Sequence, residues 1–261
     1  MKPFEVTVKK PALPNSDLAK GTTPPGVTSE REAAGWVRDM FATVAPRYDL
    51  LNHLLTFNID RAWRKLLIRR VQKILDRPGA RILDLCCGTG DVLIELQAAT
   101  ANPVIGGDFC HPMLVAAREK ILEHGYAFQL FEGDALDLPF RDNTLDLITI
   151  SFGFRNFVSY AVGLTELRRV LKPGGMLALL ECSHPRGWFM KTAHGFYSKT
   201  LVPLIGGLVS RSPAAYQYLP DSVEKFPRAE QLCELMKDAG YRNVRFELLT
   251  SGVAALHFGE K

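Results

Sequence analysis

The residues of this chain best suited to chemistry lie in RILDLCCGTGD, positions 81–91. A short apolar run ends there in Asp84, turns through Gly88, Thr89 and Gly90, and opens a helix at Asp91. Strand, glycine loop and helix start make the entrance to a nucleotide-type cofactor site. The glycines let the backbone approach a ligand, and the helix start offers bare N–H groups. A dinucleotide would require a third glycine three positions after the second, where Leu93 stands. The carboxylates of Asp84 and Asp91 would also repel a pyrophosphate. The same charges suit a ligand that carries an ammonium and a sulfonium, and S-adenosylmethionine (SAM) is such a ligand. A nicotinamide-binding domain is the alternative, and the missing glycine and acidic helix start count against it.

Comparable residues close the next apolar runs. Asp108 ends the second, 18 positions after Gly90, where a carboxylate can accept both ribose hydroxyls. Gly133, Asp134 and Ala135 follow the third, with Asp134 placed to accept from an adenine amine. Ser151 ends the fourth, in SFGFRN. Any one of these aspartates alone reads equally well as a turn or helix cap. Four sites at four successive strand ends read together as a ligand site beyond the carboxyl edge of an open sheet.

Such positions need strands that end side by side. Apolar runs at 81–85, 104–108, 127–132, 145–151, 176–182, 244–249 and 253–257 predict strands. Helical periodicity at 91–98, 112–123, 161–171 and 228–239 fills the gaps between them. The alternation predicts an α/β fold with a doubly wound, mostly parallel, seven-stranded Rossmann-like sheet. Only residues 250–252 separate the last two runs, which predicts a hairpin and an antiparallel C-terminal edge strand. LKPGG, positions 171–175, predicts a helix end, a proline stop and a glycine turn. Residues 30–75 predict extra N-terminal helices that form a cap, broken at 46–48, with a second helix over 60–75. Prolines at 3, 11, 14, 24 and 25 predict a flexible tail over 1–29. The expected organisation is that tail and one domain, 30–261, with a substrate-side insertion at 187–222.

The 261 residues are enough for a large core, and 47% hydrophobic with 23% charged residues excludes a disordered chain. A net charge of +4 demands neither nucleic acid nor anionic lipid. The five cysteines are odd in number and form no CxxC pair, so they read as reduced core residues. The start MKPFEVTVKK has no apolar centre of the secretory type, and no run approaches the ~18 apolar residues of a membrane span. A cytoplasmic protein is the expectation. The six histidines lack ligand spacing such as HExxH, so no metal is expected.

Seven segments carry a resemblance: FATVAPRYDLLNHLLTFNIDRAWR, LDLCCGTGD, GDALDLPF, DNTLDLITISFGFRN, RRVLKPGG, YQYLPDSVEKFP and AGYRNVRFELLTSGVAALHFGEK. From Met40 to the C-terminus the chain resembles the quinone-biosynthesis C-methyltransferases of the class I SAM-dependent group. The motifs from LDL to LKPGG recur across many methyltransferases, whereas VAPRYDLLN, ISFGFRN and YLPDSV are specific to this family. The resemblance implies SAM as methyl donor, with contacts at Thr89, Asp108, Asp134, Ala135 and Ser151. It implies as acceptor a lipophilic prenylated quinol, either demethylmenaquinol or a methoxy-polyprenyl-benzoquinol. Cys110 and His111, after Asp108, depart from the family pattern.

A quinone ring is electron-poor, so the attacking species has to be the quinol, whose phenolate pushes density onto the adjacent carbon. Arg155, after the fourth strand, could stabilise that phenolate or bind a water that takes the proton, and Asn156 could hold a ring oxygen. Tyr48 and Asp49 could close the pocket from the N-terminal helices. Each has an ordinary reading too: Arg155 in a structural ion pair, Tyr48 and Asp49 in a hydrogen bond at the helix break. Tyr216 and Tyr218 are pocket or core, and His184 and His194 are a base or ordinary surface and core residues. Residues 189–209 read as an apolar cap over a prenyl-tail channel that dips into the bilayer surface, or as a buried helix. Arg61, Arg64, Lys65, Arg69 and Arg70 read as a lipid-headgroup patch or a solvated face. Peripheral contact with the inner membrane face is therefore an expectation, with a homodimer or a biosynthetic complex left open. Other acceptors, RNA included, and a non-catalytic SAM-binding scaffold are the alternatives. An RNA enzyme would interleave its basic stripe with aromatics, and Trp63 stands alone in that cluster, so no nucleic-acid partner is expected.

Overall fold

The computed structural model describes residues 20–24, 26–126, 129–188, 192, 195 and 213–261. Three helices come first: α1 (Glu30–Val44), α2 (Tyr48–Thr56) and α3 (Ile59–Leu75). Ser29 starts α1 by accepting from the Glu32 N–H. Pro46, in a 3-10 turn over Ala45–Arg47, separates α1 from α2. A second break follows α2, where Phe57 and Asn58 both take left-handed φ angles. Sequence periodicity merged α2 into the flanking helices.

Strands and helices then alternate. They are β1 (Ile82–Leu85), α4 (Asp91–Ala98), β2 (Val104–Asp108), α5 (His111–Glu123), β3 (Gln129–Glu132), β4 (Leu145–Ser151), α6 (Tyr160–Val170) and β5 (Leu171–Cys182). α7 (Pro213–Lys225) begins inside the 187–222 region, and α8 (Ala229–Asp238), β6 (Arg242–Leu249) and β7 (Ala254–Glu260) follow it. One seven-stranded sheet has the order β3-β2-β1-β4-β5-β7-β6. The pairs from β3 to β5 are parallel, and β7 runs antiparallel to both β5 and β6.

The antiparallel strand is thus one place in from the edge. Burial explains the placement: β7 is apolar and buried along nearly all its length, whereas β6 alternates exposed and half-buried residues as an edge strand does. LKPGG also differs from expectation. The chain passes from α6 straight into β5 at Leu171, which pairs with Leu145, and the turn at Gly174 (φ +76°) falls inside the strand at a register shift.

Two cores flank the sheet. Leu83, Leu85, Ile148 and Ile150 point to the α6 and α8 face, where Leu164, Leu167, Leu232 and Met236 meet them. Ile82, Leu147 and Ala178 point the other way, to α3, α4 and α5. The 1–29 region is a tail only in part. From Lys20 the chain is fixed to the loop ahead of α6, with the Gly21 N–H donating to the Val158 carbonyl and the Thr22 N–H to that of Phe157. Gly21 is required there, because a Cβ would lie 1.8 Å from the Phe157 oxygen. Residues 1–19 and most of 189–212 lie outside the described residues.

Candidate active site

A cavity of about 750 Å³ opens beyond the carboxyl ends of β1, β4 and β5. The β1–α4 loop forms its floor, the segments after β4 and β5 one side, and α1, α2, α3 and α7 most of the rest. The floor is tightly folded. Cys86 and Phe152, the residues just past β1 and β4, both hold left-handed φ angles, +56° and +59°, that non-glycine residues seldom adopt. The two loops cross so closely that a Cβ on Gly153 would lie 2.4 Å from the Cys86 Cβ. Gly88 and Gly90 supply the positive φ angles that turn the chain into α4.

The strand-end residues divide into two groups. Asp84 and Ser151 line the cavity with Gly88 and Thr89. Asp84 Oδ1 accepts from the Thr149 hydroxyl at 2.7 Å, while its buried Oδ2 has no partner among the described residues. Burial pushes this carboxyl up to about 7, against the pull of the Thr149 bond. The Ser151 Oγ is likewise buried and unpartnered. Asp108, Asp134, Ala135 and Gly90 are not among the residues that line this cavity. Asp108 accepts from the Gly88 and Cys110 N–H groups, each at 2.9 Å, so it shapes the glycine loop from behind; burial raises it to about 6 despite these bonds. Asp134 is exposed and caps its own loop by accepting from the Leu136 N–H.

Asp91 does not contribute the bare negative charge that its position suggests. It accepts from Arg64 at 2.5 Å and from Lys120 at 2.7 Å. Burial alone would raise its pKa, but these bonds hold it below the usual carboxylate value. Arg64 also grips Asp60 at 2.7 Å, and Lys120 grips Asp49, which accepts from the Thr89 hydroxyl at 2.5 Å. The chain of charges ties α2 and α3 to α4, α5 and the glycine loop. Arg64 is therefore a buried clamp and no part of a surface patch, and Arg70 pairs with Glu247. Arg61, Lys65 and Arg69 remain exposed.

Past β4, the buried Arg155 lines the cavity. Its Nη1 donates to Glu181 at 2.8 Å and to the Phe152 carbonyl at 2.5 Å, and Glu181 also accepts from the Arg155 backbone N–H. Nε has no partner. The structural ion pair and the place on the cavity wall coexist. Glu181 was not singled out in the sequence, although an acidic residue inside the apolar run MLALLEC was a signal that something buried must balance it. Asn156 reaches the cavity indirectly: its Oδ1 accepts from the Tyr218 hydroxyl at 2.9 Å. Tyr218 lines the cavity, its ring tilted against that of Trp36 with centroids 5.0 Å apart, and Tyr48 faces it from α2 with its hydroxyl pKa raised by burial. The Tyr216 side chain and His194 lie outside the described residues.

The chain matches the ubiE/COQ5 methyltransferase family over residues 27–261. It is 47% identical over 223 residues to a demethylmenaquinone methyltransferase of Thermus thermophilus, covering 85% of this chain and all of the relative. It is 42% identical over 229 residues to a ubiquinone/menaquinone biosynthesis C-methyltransferase of Geotalea daltonii, covering 86% of this chain and 96% of that one. A solved SAM-dependent methyltransferase from Aquifex aeolicus shares the fold, with a TM-score of 0.53 at 20% identity over 74% of this chain and 88% of its own.

Proposed function

The chain belongs to the ubiE/COQ5 methyltransferase family, SAM-dependent enzymes of quinone biosynthesis, and from that premise we propose that its cavity joins SAM to a reduced, prenylated quinol and methylates a ring carbon. The observation that carries this reading is the pair of bare, buried polar atoms on the cavity wall, Asp84 Oδ2 and Ser151 Oγ. Such atoms are costly unless a ligand satisfies them. A carboxylate oxygen beside an open glycine loop fits the ammonium end of SAM. When bound, SAM supplies a methyl group on a sulfonium, open to displacement by an electron-rich carbon.

Asp84 holds the ammonium, and Gly88 and Thr89 let the ligand lie against the backbone. Gly90 turns that loop into α4, Asp108 takes the ribose hydroxyls, Asp134 and Ala135 border the adenine, and Ser151 stands between cofactor and acceptor. Arg155, held by Glu181 through Nη1, presents Nε to the phenolate oxygen of the quinol and favours the ionised, nucleophilic ring. Tyr48 and Tyr218 flank the ring. Asn156 is a positioning residue, since it acts by holding the Tyr218 hydroxyl.

The acceptor is a membrane lipid, and the cavity mouth suits that source. Leu50, Leu54 and Phe57 recur on one face of α2 and its end and are 61%, 41% and 68% exposed, with Ile59 at 40%. Phe57 and Ile59 also line the cavity. Exposed Arg61, Lys65 and Arg69 continue along one face of α3. An apolar ridge beside a cationic stripe matches an anionic bilayer surface, with the prenyl tail entering along α2. Among the described residues no helix is long and apolar enough to cross a membrane. Phe57→Glu with Leu54→Glu is expected to abolish sedimentation with anionic vesicles.

The direct test of function is label transfer from SAM to demethylmenaquinol and to a methoxy-polyprenyl-benzoquinol, each supplied reduced and oxidised. Transfer is expected to reduced acceptor only. Transfer to the oxidised ring, or none to either quinol, would contradict the proposal.

A further inference from the structure

His184 is a titratable side chain on the cavity wall to which the roles above give no work. It follows β5 by two residues and is half-buried. Its Nε2 lies 2.8 Å from the Phe226 carbonyl oxygen. A carbonyl can only accept, so Nε2 carries the hydrogen and Nδ1 is a bare lone pair. The Phe226 ring packs edge-on against Phe154 and Tyr160 in the core, which holds that carbonyl in place. Among the described residues Nδ1 has no hydrogen-bond partner.

Ring methylation needs such a base. The phenolate electron pair moves into the ring, the ring carbon forms its bond to the methyl carbon, and the sulfur keeps the electrons of the bond that breaks. That ring carbon now bears both a hydrogen and the new methyl group, beside a carbonyl. To regain an aromatic ring it must lose the proton, whose bonding pair returns to the ring. Of the other acid–base groups on the described wall, Glu224 has a partner, burial raises the Tyr48 and Tyr218 hydroxyls, and the rest are occupied or mismatched. Asp60 and Asp91 are bound by Arg64. Arg155 stays protonated: burial pulls its pKa down, but Glu181 and the other acidic groups around it together pull it up further. The thiols of Cys86 and Cys182 are pushed up by burial, Cys182 to about 11. Asp84 is assigned to the ammonium.

We propose that His184 Nδ1 is the base that removes the ring proton after methyl transfer, an assignment that rests on the quinol reading above. The imidazolium then returns the proton to the product phenolate, and the quinol leaves neutral.

The test uses His184→Gln, whose amide N–H can still donate to the Phe226 carbonyl, together with His184→Gly, on acceptor carrying hydrogen or deuterium at the methylated carbon. In the variants kcat is expected to fall by about a hundredfold or more, with KM for SAM unchanged. Proton removal then limits turnover, so a primary isotope effect absent from the wild type appears in His184→Gln. Imidazole is expected to restore His184→Gly. Nitrogen-15 NMR of the wild-type ring, read without turnover, is expected to place the hydrogen on Nε2. Activity of His184→Gln within a few-fold of wild type overturns the assignment. So does loss of activity with neither isotope effect nor imidazole rescue, or a hydrogen on Nδ1 at neutral pH. Wild-type enzyme that methylates no quinol fails the functional reading instead, and the base falls with it.

Discussion

The two sides of the cavity pair their buried polar groups to different degrees: the helical side leaves Arg64 Nε and Glu95 Oε2 without a hydrogen bond among the described residues, but its charges form a connected chain. On the helical side, Asp49, Lys120, Asp91, Arg64 and Asp60 hand charge from one element to the next. On the strand side, Asp84 Oδ2, Ser151 Oγ and Arg155 Nε have no partner. Buried charge is tolerated when paired, and breaking a pair costs more than the pair contributes. Buried polar atoms without partners mark places where a fold has kept bonding capacity for something else. The helical side thus ties the cap to the sheet, and the strand side keeps the bonding capacity that the proposed ligand would use.

Substitutions on the two sides should therefore differ in sign as well as size. The largest effect is expected at Arg64→Met, which leaves Asp60 and Asp91 without their shared cation. Thermal or urea unfolding should show a loss of about 3–5 kcal/mol. A loss under about 1 kcal/mol would mean that the network is ornamental and would erase the contrast.

Asp84→Asn comes next and should act in the other direction on stability. The folded pKa of Asp84, about 7, stands above its ordinary value of 3.8. Its favourable contribution is thus fully present below about pH 4 and is lost as pH rises through 7. Without ligand, Asp84→Asn at pH 8 is expected to gain about 1–3 kcal/mol. SAM affinity in the same variant should weaken by about 1.5–3 kcal/mol. A variant less stable than wild type at pH 8, binding SAM as well as wild type does, would place Asp84 with the structural group.

The smallest effect belongs to Asp49→Asn. Its side chain is about a third exposed, so its bonds to Thr89 and Lys120 are partly screened. A stability loss of about 0.5–1 kcal/mol, shrinking as salt rises, is expected from denaturation at two ionic strengths. A loss as large as that at Arg64 would show that the charges act as one unit.

How legible these two sides were in the sequence follows from how local their causes are. The glycine loop, the strand ends at Asp84, Asp108 and Ser151, and the order of strands and helices follow from periodicity and short motifs, which act within a few residues. The inward turn of Arg64 is invisible in the sequence because its neighbours Arg61, Lys65, Arg69 and Arg70 are exposed, and only tertiary contact from α4 reveals that one of the five turns inward. Asp91 was read as a bare charge for the same reason: its partner Lys120 is 29 residues away. The inward position of β7 depends on which strand finds β5, and a hairpin signal alone leaves that open. The docking of Lys20–Thr22 rests on backbone bonds to residues 157 and 158, which no side-chain pattern records.

The central claim is that Asp84 is kept ready for a cationic ligand, and the most direct test is the proton balance of SAM binding. Titration calorimetry at pH 6.5 in two buffers of different ionisation enthalpy measures it. An Asp84 with a pKa of about 7 is mostly protonated there, so an incoming ammonium should expel its proton. The account predicts net proton release by the wild type, absent from Asp84→Asn. Binding without proton release, or release that persists in Asp84→Asn, would contradict it.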